Sequence, residues 1–77
     1  MKKITLDCLD IGKTARVISV NNDETIKRRF YDIGIVSDAL VTNLFESPFK
    51  DPIAYKIKNA IIAIRKKDSK KIVVEEL

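Results

Sequence analysis

Only one stretch of this chain carries helical periodicity, and it is too short to stand alone. It runs from Asp23 to Gly34, reading DETIKRRFYDIG, while the flanking sequence reads as short strands. Asn22 and Asp23 are both good N-cap residues, and Glu24 puts negative charge where the helix dipole favours it. Ile26, Phe30 and Ile33 fall at i, i+4 and i+7 and so define one apolar face, with Arg28 and Tyr31 directed away from it. Gly34 supplies the left-handed residue that closes such a helix. About three turns of helix are marginal in water, so this one must cap an apolar surface built by the strands.

Those strands are marked by β-rich runs between turn formers. Ile4, Leu6 and Leu9 are apolar anchors in a lead-in, and Gly12 suits the third position of a tight turn. Thr14–Val20 is a first strand and Ala39–Glu46 a second. Pro48 and Pro52 mark a loop, since proline cannot donate to a ladder. Ile53–Ile57 alternates, with Ile53, Tyr55 and Ile57 on one face. Lys58 and Asn59 can turn the chain, with Asn59 the better residue for positive φ, and Ala60–Ile64 pairs back. Lys71–Glu75 is the last strand. The expected fold is mainly β: a single domain over 1–77, a small antiparallel barrel of about five strands with one inserted helix near residues 23–33.

Composition narrows the function classes. Of 77 residues, 45% are hydrophobic and 34% charged, which is a folding composition. The single cysteine, Cys8, permits no disulfide framework and fits a reducing compartment. Asp7 and Asp10 interrupt any signal-like apolar run after Met1-Lys2-Lys3-Ile4, and nothing approaches the roughly 20 apolar residues of a membrane span. A cytoplasmic protein without membrane insertion is expected. The net charge of +4 admits an acidic partner, a nucleic acid or a membrane surface. The one cationic cluster, Arg65–Lys71, reads as a solvated polar turn.

Histidine is absent, so with one cysteine the usual nitrogen and sulfur ligands of zinc, copper or iron cannot be assembled within one chain. No metal site, cofactor or catalytic residue is assigned. Gly12 and Gly34 are the only glycines and are far apart, so there is no glycine-rich phosphate loop. Nucleophilic triads fail for want of histidine, and Cys8, between Asp7 and Asp10, reads as a quiet, partly buried thiol. The expectation is a protein that is not an enzyme.

The order of motifs resembles the FeoA family, small cytosolic accessory proteins of ferrous iron uptake. Leu6, Leu9 and Gly12 resemble the family's opening pattern, and Ala15-Arg16-Val17 its first strand. Arg29-Phe30…Ile33-Gly34-Ile35 is the most specific block. Asp51-Pro52 matches the loop before the central hairpin, and Ile62-Ala63-Ile64-Arg65 the strand that follows. Ser37-Asp38 stands where the family has proline–glycine, and Asn59 where it has glycine. The resemblance implies an SH3-like barrel acting beside FeoB, the membrane transporter with a cytosolic GTPase domain. It implies docking there and adjustment of transport or nucleotide turnover, not iron binding by this chain.

On that reading Lys27, Arg28 and Tyr31, on the outward helix face, are the candidate contact, since arginine and tyrosine are favoured interface anchors. Arg29 is expected to pack its stem on the barrel and pair with a carboxylate. The alternative is an SH3-like module binding nucleic acid, or one related to the C-terminal domain of an iron-dependent repressor. No aromatic pair forms a stacking platform, and Phe45 and Tyr55 read as core, which disfavours nucleic acid. Proline-rich peptide recognition lacks its aromatic cluster. A homo-oligomer formed through exposed strand edges stays open.

Overall fold

The computed structural model describes residues 2–46, 48 and 51–77. Six strands rather than five form one antiparallel sheet: β1 (Lys3–Thr5), β2 (Thr14–Val20), β3 (Leu40–Glu46), β4 (Ile53–Ile57), β5 (Ala60–Ile64) and β6 (Ile72–Glu76). Their spatial order is β1-β6-β2-β3-β4-β5, so β1 and β5 are the edges and the sheet is not closed by hydrogen bonds. Helix α1 (Glu24–Asp32) lies between β2 and β3 in sequence, and a four-residue helix α2 (Lys66–Ser69) between β5 and β6.

The expected lead-in is ordered structure. Residues 3–5 pair with Val73–Glu75 as the extra strand, and a 3₁₀ turn at Leu6–Cys8 follows. Leu6 and Leu9 are fully buried. Two polar side chains from the middle of the sheet hold this segment in place. The Asn43 amide on β3 donates to the Leu9 carbonyl (2.8 Å), and the Tyr55 hydroxyl on β4 to the Leu6 carbonyl (3.2 Å). The backbone adds Gly12 N–H to the Asn43 carbonyl (2.7 Å) and Asn43 N–H to the Lys13 carbonyl (3.1 Å). Gly12 itself has φ +83°, which only glycine adopts at no steric cost.

Two β-bulges decide which side chains reach the core. In β2 the register shifts between Val17 and Ser19, so burial passes from Ala15 and Val17 to Val20. In β3 it shifts between Asn43 and Phe45: Asn43 faces Tyr55, but Phe45 faces Ala54. Two steps on β3 match one on β4, and every later side chain changes face. Phe45 is therefore 58% exposed, whereas plain alternation from Val41 and Asn43 would have buried it. Tyr55 is core, as its alternation predicts.

Helix α1 starts and stops as its sequence dictates. Asp23 is the N-cap, its carboxylate accepting from Ile26 N–H (3.0 Å). Asn22 is not a cap. It is buried and donates to the Asp68 carbonyl (3.0 Å), tying the start of α1 to α2. At the other end Gly34 has φ +100°, Gly34 N–H reaches the Tyr31 carbonyl (3.1 Å) and Ile35 N–H the Phe30 carbonyl (2.8 Å). That double bond pattern is a Schellman closure. It turns the chain so that Ile35, and not Ile33, enters the core beside Phe30. Ile33 is left 41% exposed, a correction to the i+7 position of the helical face. Ile26 is partly buried against the core, as expected.

Three smaller corrections concern turns and loops. The Arg65–Lys71 stretch contains the one-turn α2, whose Lys66 N–H is capped by the Asp51 carboxylate (2.9 Å) and whose Ser69 is fully buried. In the β4–β5 turn the positive φ falls on Lys58 (+55°), not on Asn59. Cys8 is exposed rather than partly buried, with its Sγ 3.5 Å from the Thr5 hydroxyl.

Candidate functional site

The outward face of α1 is built by helical arithmetic. Ile26 and Phe30 take the inner face, so Lys27 and Tyr31, one position on from each, share a neighbouring row. Tyr31 is 47% exposed, and the Lys27 ammonium stands 5.8 Å from the centroid of its ring. That distance is within cation–π range, an attraction of ~0.5–1 kcal/mol at an exposed site, enough to bias the ring's orientation. Arg28 is exposed beside them. The three proposed contact residues are thus brought to one side of the helix.

Next to that row a shallow, open concavity is lined by Glu24, Thr25, Arg28, Arg29 and Asp32. Arg29 is exposed and forms part of this wall. Carboxylates and guanidinium groups alternate along it, with Glu24 four residues before Arg28 and Arg28 four before Asp32. Such a surface offers planar, bidentate donors to a partner's carboxylates while its own acids limit non-specific attraction of polyanions.

The structure adds an apolar extension that periodicity alone did not reveal. Ile33, Val36 and Leu40 are all exposed, and they follow Tyr31 along the segment from the end of α1 to the start of β3. Ile33 is the legible clue in hindsight: a residue directly before a C′ glycine sits at the cap, where the helical face has already ended. The backbone here is held by Asp38 N–H to the Val17 carbonyl and Val17 N–H to the Ala39 carbonyl, both 2.8 Å. Asp38, in the place of the family's glycine, has φ +73°. Gly34 lies against the β4–β5 turn, where an added Cβ would touch Ile57 Cγ2 and Lys58 Cε at 3.7 Å.

The other motif residues are structural. Gly12 and Gly34 turn the chain, Phe30 is core, and Pro52 follows Asp51 through a cis peptide bond. Among the described residues, no three of His, Cys, Asp or Glu converge where a metal ion could be held. No described helix is long and apolar enough to cross a membrane. Burial pushes the Tyr55 phenol well above its ordinary range, with the Ser69 hydroxyl partly offsetting the shift. The group sits under the N-terminal segment and not in a cleft.

Comparison with known proteins is consistent at three levels. The model of the FeoA domain family matches residues 4–76. A Porphyromonas gingivalis protein, named as a fusion of Fe(2+) transport protein A with the Fe(2+) transporter FeoB, is 28% identical over 67 residues. That match takes in 87% of this chain but 8% of the fusion. The solution structure of a FeoA protein from Chlorobium tepidum superposes with a TM-score of 0.92 at 30% identity, covering 96% of this chain and 70% of that one. A Stenotrophomonas maltophilia FeoA complexed with zinc, described as a prokaryotic SH3 domain protein, gives a TM-score of 0.83 at 26% identity, with coverage of 94% and 89%.

Proposed function

The chain belongs to the FeoA family of ferrous iron transport, and from that premise we propose that it docks on the cytosolic GTPase region of a FeoB-type transporter and so adjusts transport or nucleotide turnover. The observation that carries the reading is the fusion protein, in which a segment similar to this chain shares one polypeptide with the transporter. A covalent link raises the effective concentration of two modules to the millimolar range for a short linker. It therefore supports an association that is useful even when weak.

The docking surface is the α1 row of Lys27, Arg28 and Tyr31, extended by Ile33, Val36 and Leu40. A tyrosine held by a cation, an arginine fork and exposed aliphatic groups give the apolar centre and polar rim that protein interfaces use. Modulation follows from linkage. A docked adaptor changes nucleotide turnover only by binding one nucleotide state of the transporter more tightly than the other, and the coupling is reciprocal.

The test is an amide titration of the isotope-labelled chain with the transporter's soluble cytosolic domain, and separately with duplex DNA. Shifts centred on Lys27–Leu40 with the transporter domain are expected, with affinity differing between GDP and a GTP analogue. Replacing Arg28 and Tyr31 together by Ala should weaken binding roughly tenfold or more, equivalent to ~1.4 kcal/mol. Shifts elsewhere would sink the surface while keeping the function. Shifts with DNA alone, falling steeply with salt, would replace the function with nucleic-acid binding.

A further inference from the structure

Among the described residues, one edge of the sheet is left bare. Strand β5 reads Ala60-Ile-Ile-Ala-Ile64, without a charge, a proline or a bulge to blunt it. Ile61 is 66% exposed, and Ala60 and Ala63 are exposed as well. Register fixes what the edge presents. Ile57 and Ala60 close a two-residue turn and so exchange both their backbone bonds, as do Tyr55 with Ile62 and Ile53 with Ile64. The N–H and C=O groups of Ile61 and Ala63 consequently face outward. Their side chains share the outer face with Phe45, 58% exposed two strands away, across Ala54.

The charge around this edge has one sign. Residues 53–67 include Lys56, Lys58, Arg65, Lys66 and Lys67 and no aspartate or glutamate. Lys58 stands just before β5, and Arg65, Lys66 and Lys67 just after it. Acids near this edge stand at its far end: Asp51 on the Lys66 amide, Asp68 within α2, and Glu46 two strands in from Ile64 across Ile53.

We propose that the β5 edge accepts an extended, acidic segment of a partner protein as an additional strand, paired to Ile61 and Ala63 and flanked by carboxylates that meet Lys58 and Arg65–Lys67. Outward backbone groups in a row call for a backbone partner. A second copy of this chain is disfavoured by its own charge. Antiparallel self-pairing would bring together two flanks that each carry Lys58 and Arg65–Lys67, and clusters of like charge repel. A bilayer surface offers the charge but no strand to complete the ladder. The two surfaces adjoin where Lys58 lies against Gly34, but the pairing groups of Ile61 and Ala63 belong to β5 alone, so the proposal stands whether or not the α1 face binds the transporter.

The probe is a synthetic peptide of alternating Val and Thr with two acidic residues at each end, titrated into the isotope-labelled chain. The amides of Ile61 and Ala63 should shift and become protected from exchange. A twin peptide with lysines in place of the acids should bind roughly tenfold more weakly or worse. Ala63→Pro removes an outward N–H without removing a β4–β5 bond, so it should abolish binding with little change in melting temperature. Should that variant fail to fold, the acidic peptide N-methylated on alternate residues, so that it cannot pair, is tested on the unaltered chain and should lose binding. Equal binding by both charge forms, or shifts confined to other strands, would overturn the proposal. So would shifts that appear on concentrating the protein alone, which mean self-pairing, or only with phosphatidylserine vesicles, which mean a lipid surface.

Discussion

The two edges of the sheet are made by opposite means. Strand β1 is three residues long, begins at Lys3, and runs directly into Leu6 and Leu9, which are locked into the core. Besides its pairing with β6, it is tied through the segment that follows it, where Asn43 and Tyr55 reach from β3 and β4 to the carbonyls of Leu9 and Leu6. Strand β5 is longer, is joined to its neighbour by a tight turn, and has Ile62 and Ile64 directed inward. Its outer face has no cover. One edge is short, charged and tied from within. The other is apolar and open, and the difference shows where this small fold spends its hydrophobic residues on something other than its core.

Truncating the apolar residue that anchors each edge gives the largest contrast. Leu6→Ala should cost ~3 kcal/mol, since a buried leucine loses both its transfer energy and the contacts around the resulting cavity. Ile61→Ala, on the open edge, should stay within ~0.5 kcal/mol. Urea denaturation of the two variants measures both, and comparable losses would mean that β5 is covered in solution.

Removing the hydroxyl that anchors the β1 side is the next test. Tyr55→Phe should lose ~1 kcal/mol at neutral pH, the worth of the bond to the Leu6 carbonyl. Its sharper signature is in alkali. Because burial raises the folded-state phenol above its unfolded value near 10, the neutral group's contribution is complete below about pH 10. Above that it is lost by ~1.4 kcal/mol per pH unit until the folded phenol ionises. The wild-type curve should therefore meet that of the Phe variant within about one pH unit above pH 10 and drop below it beyond that. Parallel curves would place the phenol in contact with water.

The smallest effect belongs to the open edge. Lys58 holds φ +55° at the turn that starts β5, a conformation that side chains resist. Lys58→Gly should relieve that strain and raise stability by ~0.5–1 kcal/mol. It also removes one cation from the β5 flank, so acidic-peptide affinity should fall as stability rises.

How much of this could be read from the residues depends on the range of the interaction involved. The helix, its Asp23 cap and its Gly34 stop are local chemistry, and they stand where the sequence puts them. So do the strands at Thr14–Val20, Ile53–Ile57 and Ala60–Ile64, each bounded by its own turn residues. The exposure of Phe45 is not legible in the sequence, because the bulge after Asn43 is a property of two strands and leaves no mark in either alone. The Ile33–Ile35 exchange was missed because a period of 3.6 says nothing about the residue beyond a cap. β1 has no sequence signature, since three residues carry no alternation. At the candidate site, the grouping of Lys27 with Tyr31 follows from i, i+4 spacing. The exposure of Val36, Leu40 and Ile61 does not, because it depends on what the rest of the molecule fails to cover.

The position of β6 carries a consequence for how the domain comes into being. The last of the six strands in sequence is inserted between the first two, pairing Lys3 with Glu75 and Ala15 with Glu76. Without residues 72–76, β1 has no strand beside it and the facing edge of β2 is bare, while β2 to β5 pair with one another in chain order. Contacts spanning nearly the whole chain form late and slowly, since their closure entropy is met only when every intervening residue is present. A single strand thus joins β1 to the rest of the sheet, and the domain is complete only when β6 is in place.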